Sequence, residues 1–178
     1  SDEGLPILSL VFYGEAEKDD YLSKEAFRVA EEVMRHKVSI SKERVNPFNY
    51  PVEEVLDNGC VKTQFFFPHN TTVSPWWQGE NARLSSLSAA SYLVSTHTED
   101  ESLKNDLETM STCTLDWIMG QNPFDSSMIE GFGRNNPEYF FFNNYDYVNI
   151  PGGIVNGITS MIDDEEGIDL VMEPRSDV

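Results

Sequence analysis

The segment Asp20–Ile40, DYLSKEAFRVAEEVMRHKVSI, carries the strongest periodic signal in the chain and decides the fold class. Apolar residues recur along it at the three- and four-residue spacing of a single helix face, and polar residues fill most of the positions between them. The pattern predicts an amphipathic helix. Its inward face is predicted to comprise Ala26, Phe27, Ala30, Val33, Met34 and Val38.

A second helix is predicted from near Gly79 to about Thr96. Many Ser and Ala residues lie between its larger apolar residues, which suggests close packing against a neighbouring helix. The residues predicted to face inward are Leu84, Leu87, Ala90, Leu93 and Val94.

A third helix is predicted to open at Thr98-Glu99-Asp100-Glu101, where Thr98 as the cap and Glu101 three residues later form a capping box. Gly120 and Asn122-Pro123 predict its end, because glycine tolerates the left-handed closing residue and proline cannot continue the hydrogen-bond ladder. Its inner stripe is predicted to be Leu103, Leu107, Met110, Thr114, Trp117 and Ile118.

Outside these helices the pattern is less regular. The apolar run Leu5–Tyr13 is too short to assign by period, and we favour a helix over a strand. Two long stretches, Val45–Pro75 and Gln121–Thr159, exceed the roughly 12–15 residues usual for a loop and are too aromatic for disorder. A functional site is expected in them, and the acidic tail Asp163–Val178 is expected to be mobile.

The charge balance excludes several partners. The 178 residues carry a formal net charge of -19, which would repel a phosphate backbone or an anionic membrane and leaves a neutral polymer such as a polysaccharide compatible. No apolar run approaches the roughly 18 residues of a membrane span. Cys60 and Cys113 lack CxxC spacing, so we expect free buried thiols, and neither a metal nor a cofactor is expected.

The segment Pro75–Arg83, PWWQGENAR, is the first candidate for chemistry. Indole rings beside amide and charged groups suit a sugar, whose C–H faces stack on aromatics and whose hydroxyls need hydrogen-bonding partners. The structural alternative is a loop anchored by one buried Trp with a Glu80–Arg83 pair on the helix. His69 is a further candidate for contact with a sugar hydroxyl, whereas His36 and His97 look structural.

A second aromatic and polar loop, Gly131–Pro137, offers Phe132 and Arg134, and a packed loop with glycine turns explains it as well as a binding surface does. Pro151-Gly152-Gly153 either admits a ligand close to the backbone or makes a tight turn. A carboxylate cluster follows. We take it for a solvated loop, with calcium binding as the next alternative, and its members are Asp163, Asp164, Glu165, Glu166 and Asp169.

Three runs together resemble the last third of the catalytic domain of family 9 glycoside hydrolases. They are Phe65–Leu84 (FFFPHNTTVSPWWQGENARL), Asp116–Arg134 (DWIMGQNPFDSSMIEGFGR) and Pro151–Ser160 (PGGIVNGITS). The similarity is greatest to bacterial members of cellulase-like and exo-β-glucosaminidase-like type. It covers about Leu5–Asp169.

The resemblance implies that residues 1–178 form the C-terminal portion of an (α/α)6-barrel catalytic domain, an all-α fold of helical hairpins with long aromatic loops. It implies a secreted or periplasmic β-glycoside hydrolase acting on a β-glucan or glucosaminide by inversion, with an aspartate that activates water and a glutamate that protonates the leaving oxygen. The implied partners are the carbohydrate and the remainder of the parent domain. The expected substrate-binding residues are His69, Trp76, Trp77, Glu80, Arg83, Phe132 and Arg134, with at least one indole partly exposed.

Two departures from the family pattern limit these expectations. The family aspartates belong upstream of the matched runs, and Glu173 lacks the family's Asn-Glu setting, so no catalytic residue is assigned. Asn135–Phe142 replaces a His-His-Arg stretch found in many family cellulases. The isolated chain is therefore expected to be inactive. The alternative is a noncatalytic helical carbohydrate-binding or scaffold protein.

Overall fold

A computed structural model describes residues 3–66, 79–136, 150–160 and 168–169. In chain order the elements are four helices and four strands within these ranges. They are α1 (Leu5–Ala16), α2 (Asp20–Glu43), β1 (Glu53–Asp57), β2 (Cys60–Gln64), α3 (Glu80–His97), α4 (Glu101–Met119), β3 (Thr159–Ser160) and β4 (Ile168–Asp169).

The chain divides into two compact units. The helical unit comprises Asp2–Val52 and Ala82–Leu115, and the hairpin unit comprises Glu53–Asn81 and Asp116–Val178. Within the helical unit, one core is built from the inward faces of its helices. Its buried members are Ile7, Val11, Ala30, Met34, Val38, Leu87, Ala90, Val94, Leu103, Leu107 and Met110.

The four helices confirm the sequence predictions for helix existence, including the helix favoured over a strand at Leu5–Tyr13. The predicted inner face of α2 is correct except at Val33, which is exposed. Thr98 was predicted as the cap of α4, but the capping residue is Asp100. Its Oδ1 accepts hydrogen bonds from the backbone N–H groups of Ser102 and Leu103. The Thr98 hydroxyl instead accepts from the N–H of Asp100.

The prediction of an all-α partial (α/α)6 barrel is wrong. The described residues form a small mixed domain of four helices with short antiparallel strand pairs, β1 with β2 and β3 with β4. The clearest departure is the β1–β2 hairpin, which lies inside Val45–Pro75, a stretch expected to be one long loop. Its strands pair from Glu53 opposite Gln64 to Asp57 opposite Cys60.

The two-residue turn at Asn58-Gly59 explains why the hairpin forms. Both residues have positive φ, 50° at Asn58 and 77° at Gly59, as a type I′ turn demands, and this turn matches the right-handed twist of the flanking strands. Within the hairpin, Lys62 forms an ion pair with the buried Asp57. Cys60 and Cys113 are free thiols as predicted, but the prediction that both are buried is wrong, because Cys60 is exposed at the hairpin turn and Cys113 is partly exposed.

Within the described residues, no helix combines the length and the apolar character that crossing a membrane requires.

Candidate functional site

Parts of all three runs that carry the family resemblance meet in the hairpin unit, and Asn81 joins them. Its backbone N–H donates to the Asn156 carbonyl at 3.0 Å, and its side-chain Nδ2 donates to the Val155 carbonyl at 2.8 Å. The same Nδ2 lies 2.9 Å from the Met128 sulfur. One buried amide therefore links the start of α3 to two loops that are distant in sequence.

Gly157 must be a glycine because of this junction. Its φ is +84°, a value that side chains disfavour, and an added Cβ would lie 2.7 Å from Asn81 Oδ1. Two independent features of the backbone therefore exclude a larger residue there.

The loop that follows α4 is held by two asparagine side chains. Asn122 Nδ2 donates to the carbonyls of Trp117 and Ser126 at 2.7 and 2.8 Å, and its Oδ1 accepts from the N–H of Phe124 at 3.1 Å. Asn136 Nδ2 donates to three loop carbonyls, which belong to Ser127, Ile129 and Phe132. These bonds satisfy backbone groups that no regular ladder pairs, and they give the loop a defined shape.

The residues Ile150–Gly153 form a tight turn rather than an open approach to the backbone. The Gly153 N–H donates to the Ile150 carbonyl at 2.8 Å, and Gly152 has a φ of +88°, as the third residue of a type II turn requires. The turn is fastened to Glu130 by hydrogen bonds of 2.8 Å, one from the Gly152 N–H and one to the Gly153 carbonyl.

Phe132 lies on this framework with its ring at the surface. Its side chain is 57% exposed, and the ring edge would lie 3.9 Å from a Cβ at Gly152. A large exposed ring, placed beside a rigid turn, can stack on a flat apolar face such as that of a sugar ring.

Arg134 lies close by in sequence and is also exposed. Its Nη2 pairs with both carboxylate oxygens of Asp125, at 2.7 and 2.6 Å, and this bond raises the pKa of the guanidinium. Asn135 Nδ2 donates to the Asp125 carbonyl at 2.9 Å. The arrangement presents hydrogen-bond donors and acceptors in fixed positions at the surface. Asp125 belongs to this candidate site, and the sequence analysis did not predict it. Its position after Asn122-Pro123 in an ordered loop was the available signal.

Glu80 and Arg83 are buried, with exposed fractions of 0% and 2%. In the helical unit Arg83 Nη1 pairs with Glu3 at 2.7 Å, and its guanidinium lies 5.8 Å above the Tyr50 ring. Neither side chain is presented at a surface. Their predicted contact with substrate stays a prediction.

The remaining predicted site residues, His69, Trp76 and Trp77, lie outside the described residues, as do the side chains of the carboxylate cluster from Asp163 to Asp169 and the acidic tail. Among the residues that are described, no group of three His, Cys, Asp or Glu side chains is placed to hold a metal ion.

The helical unit contains a separate cavity of about 160 Å³ between the end of α2 and α4. Val38 and Met110 contribute apolar walls, and the Lys42–Asp106 ion pair, at 2.6 Å, stands among its lining residues. Ligand pockets usually measure about 300–1,000 Å³, so this cavity is small for a sugar chain. The surface around Phe132 is the better candidate site.

Comparison with protein-family models finds no match, and no curated protein matches the chain. The family resemblance therefore rests on the sequence motifs themselves.

Proposed function

We propose that this chain is part of a β-glycoside hydrolase acting on a β-glucan or glucosaminide chain, and that its Phe132 surface is a sugar-binding wall. The observation that carries the proposal is the exposed Phe132 ring on a framework built from the three motif runs. Aromatic platforms beside fixed polar groups are the arrangement that a pyranose needs. The catalytic acid and base belong to the longer parent, which cleaves with inversion.

The chemistry of inverting glycosidases gives a reason to treat binding and cleavage separately. General acid and base catalysis needs two carboxyl groups that face one bond about 6.5–9.5 Å apart in an inverting enzyme. Near Phe132, the Asp125 carboxylate is held in an ion pair with Arg134 by two contacts. We expect the chain alone to bind oligosaccharides and to leave aryl β-glucosides uncleaved.

Titration with cellohexaose and with a chitosan hexamer, followed by amide chemical shifts, tests the binding. Phe132→Ala should weaken it by about 1–3 kcal/mol, the order of one lost stacking platform by analogy with nucleobases. Phe12→Ala is a matched control, since Phe12 is 55% exposed and lies on α1 in the helical unit. The proposal fails if neither sugar shifts amides around Phe132, or if the two variants weaken binding equally.

A further inference from the structure

Helix α1 is apolar on both of its sides. The inward side buries Ile7, Val11 and Gly14. The opposite side exposes large apolar groups, among them Leu5, Phe12 and Tyr13. A helix that is apolar all round is ordinarily covered on every side, so the outward side of α1 has the composition of an interface.

Five of the exposed residues of α1 fall on one narrow seam, and the exposed Pro6 and Glu15 lie on either side of it. Leu5, Ser9, Phe12 and Ala16 recur at intervals of four, three and four residues, the spacing of a coiled-coil stripe, and Tyr13 lies beside them. At about 100° per residue the whole set spans roughly a third of the helix circumference. We call these five residues the α1 seam.

Helix α2 shows what a solvated face in the same unit looks like. Its outward side carries ion pairs at three- and four-residue spacing, the pattern that suits an exposed helix face. The pairs are Lys24–Asp20, Arg28–Glu25, Arg28–Glu32 and Arg35–Glu31. The α1 seam, whose five residues are all described, consists of apolar and uncharged side chains instead, so the two outward faces are built for different surroundings.

Negative charge flanks the seam at the C-terminal end of α1. Glu15 follows on one side and pairs with His97 at 3.2 Å, while Glu17 lies on the other and accepts a 2.5 Å hydrogen bond from the Tyr13 hydroxyl. Hydrogen bonds from backbone N–H of Asp19 and from Tyr13 lower the pKa of Glu17, which keeps it ionised. The negative end of the α1 helix dipole adds to the negative potential there.

We propose that the α1 seam docks a basic amphipathic helix of a partner protein, with the partner's apolar stripe against Phe12 and Tyr13 and its Lys or Arg residues beside Glu15 and Glu17. Charge complementarity favours this occupant. A second copy of the chain would bring a net charge of -19 against an equal charge.

Two synthetic helical peptides of about 15 residues test the proposal. Both carry a Leu stripe at coiled-coil spacing, and they differ only in having Lys or Glu on the flanks. Titration of the full chain with the Lys peptide should shift amides of α1. Phe12→Asp should weaken the binding at least about tenfold, as expected for a central aromatic anchor, and the Glu peptide should bind more weakly than the Lys peptide at low salt.

Phe132→Ala is the matched control, because Phe132 is equally exposed but belongs to the hairpin unit. It should leave peptide binding unchanged, just as Phe12→Ala should leave sugar binding unchanged, so the two proposals can fail separately. Equal binding of both peptides, equal binding to the Phe12→Asp variant, or shifts away from α1 would overturn the docking proposal. Self-association that Phe12→Asp abolishes would overturn it too, because the occupant would then be a second copy.

Discussion

Glu3 holds two buried cations in the helical unit, and replacing it by Gln tests how far the unit depends on that charge. Its Oε2 accepts from Arg83 Nη1 at 2.7 Å, and its Oε1 forms an ion pair with Lys37. The Arg83 and Lys37 side chains are 2% and 8% exposed, whereas Glu3 is 21% exposed. Gln keeps the shape and one acceptor oxygen but removes the negative charge.

The magnitude follows from what remains after the substitution. Breaking a buried ion pair by removing one partner costs about 3–5 kcal/mol, because a charge is left buried and uncompensated. Here Lys37 still donates to the Val52 carbonyl, and Arg83 still donates to the Tyr50 hydroxyl at 3.3 Å. Partial access of water to Glu3 lowers the cost further. We expect Glu3→Gln to reduce the free energy of unfolding by about 2–4 kcal/mol.

Urea unfolding at neutral pH, followed by circular dichroism, measures this change. Glu32→Gln is the control, since it is the same substitution in the exposed Arg28–Glu32 pair at 2.8 Å, where solvent screening should leave the free energy of unfolding nearly unchanged. The Glu3 effect should persist in high salt, because a buried pair is poorly screened. If both variants lose the same small amount, the buried cluster does not stabilise the unit in the way described.

Two further predictions concern the backbone and pH. In urea unfolding, Gly157→Ala should lower the free energy of unfolding more than Gly59→Ala does. Both sites have positive φ, which costs an alanine about 1 kcal/mol, but only the methyl group added at Gly157 would collide with Asn81. Equal losses in the two variants would contradict the steric argument. The hydrogen bond from Arg35 is the main reason that the pKa of Asp100 lies below its ordinary value of 3.8. The ionised carboxylate therefore stabilises the folded chain at pH values above 3.8, and this stability is lost as the pH falls through the lower pKa of the folded state. Asp100→Asn keeps a residue that caps helices well, and it should lower the thermal unfolding midpoint at neutral pH. The midpoint of this variant should also fall less steeply below about pH 4. If the midpoint depends on pH as it does in the unchanged chain, the Arg35–Asp100 pair does not contribute to stability.

The sequence by itself determined the helices, because helix signals are local. The apolar period within Asp20–Ile40 and the glycine after α4 act over a few residues, and both predictions agree with the structure. The sequence signal for the β1–β2 hairpin was equally local. Asn58-Gly59 specified it, and the error lay in treating an aromatic-rich stretch as one loop.

Only the tertiary structure decided where the polar motif residues point. Arg83 was expected to bind the substrate; in the structure its side chain pairs with Glu3, which lies 80 residues away in sequence, and no spacing rule reaches that far. Asn81 likewise finds Val155 across 74 residues. The exposure of Phe132 and of the α1 seam also depends on which neighbours cover each face. Burial depends on how the whole chain packs. A sequence pattern can therefore indicate candidate residues, but the long-range contacts determine which of them are exposed to solvent.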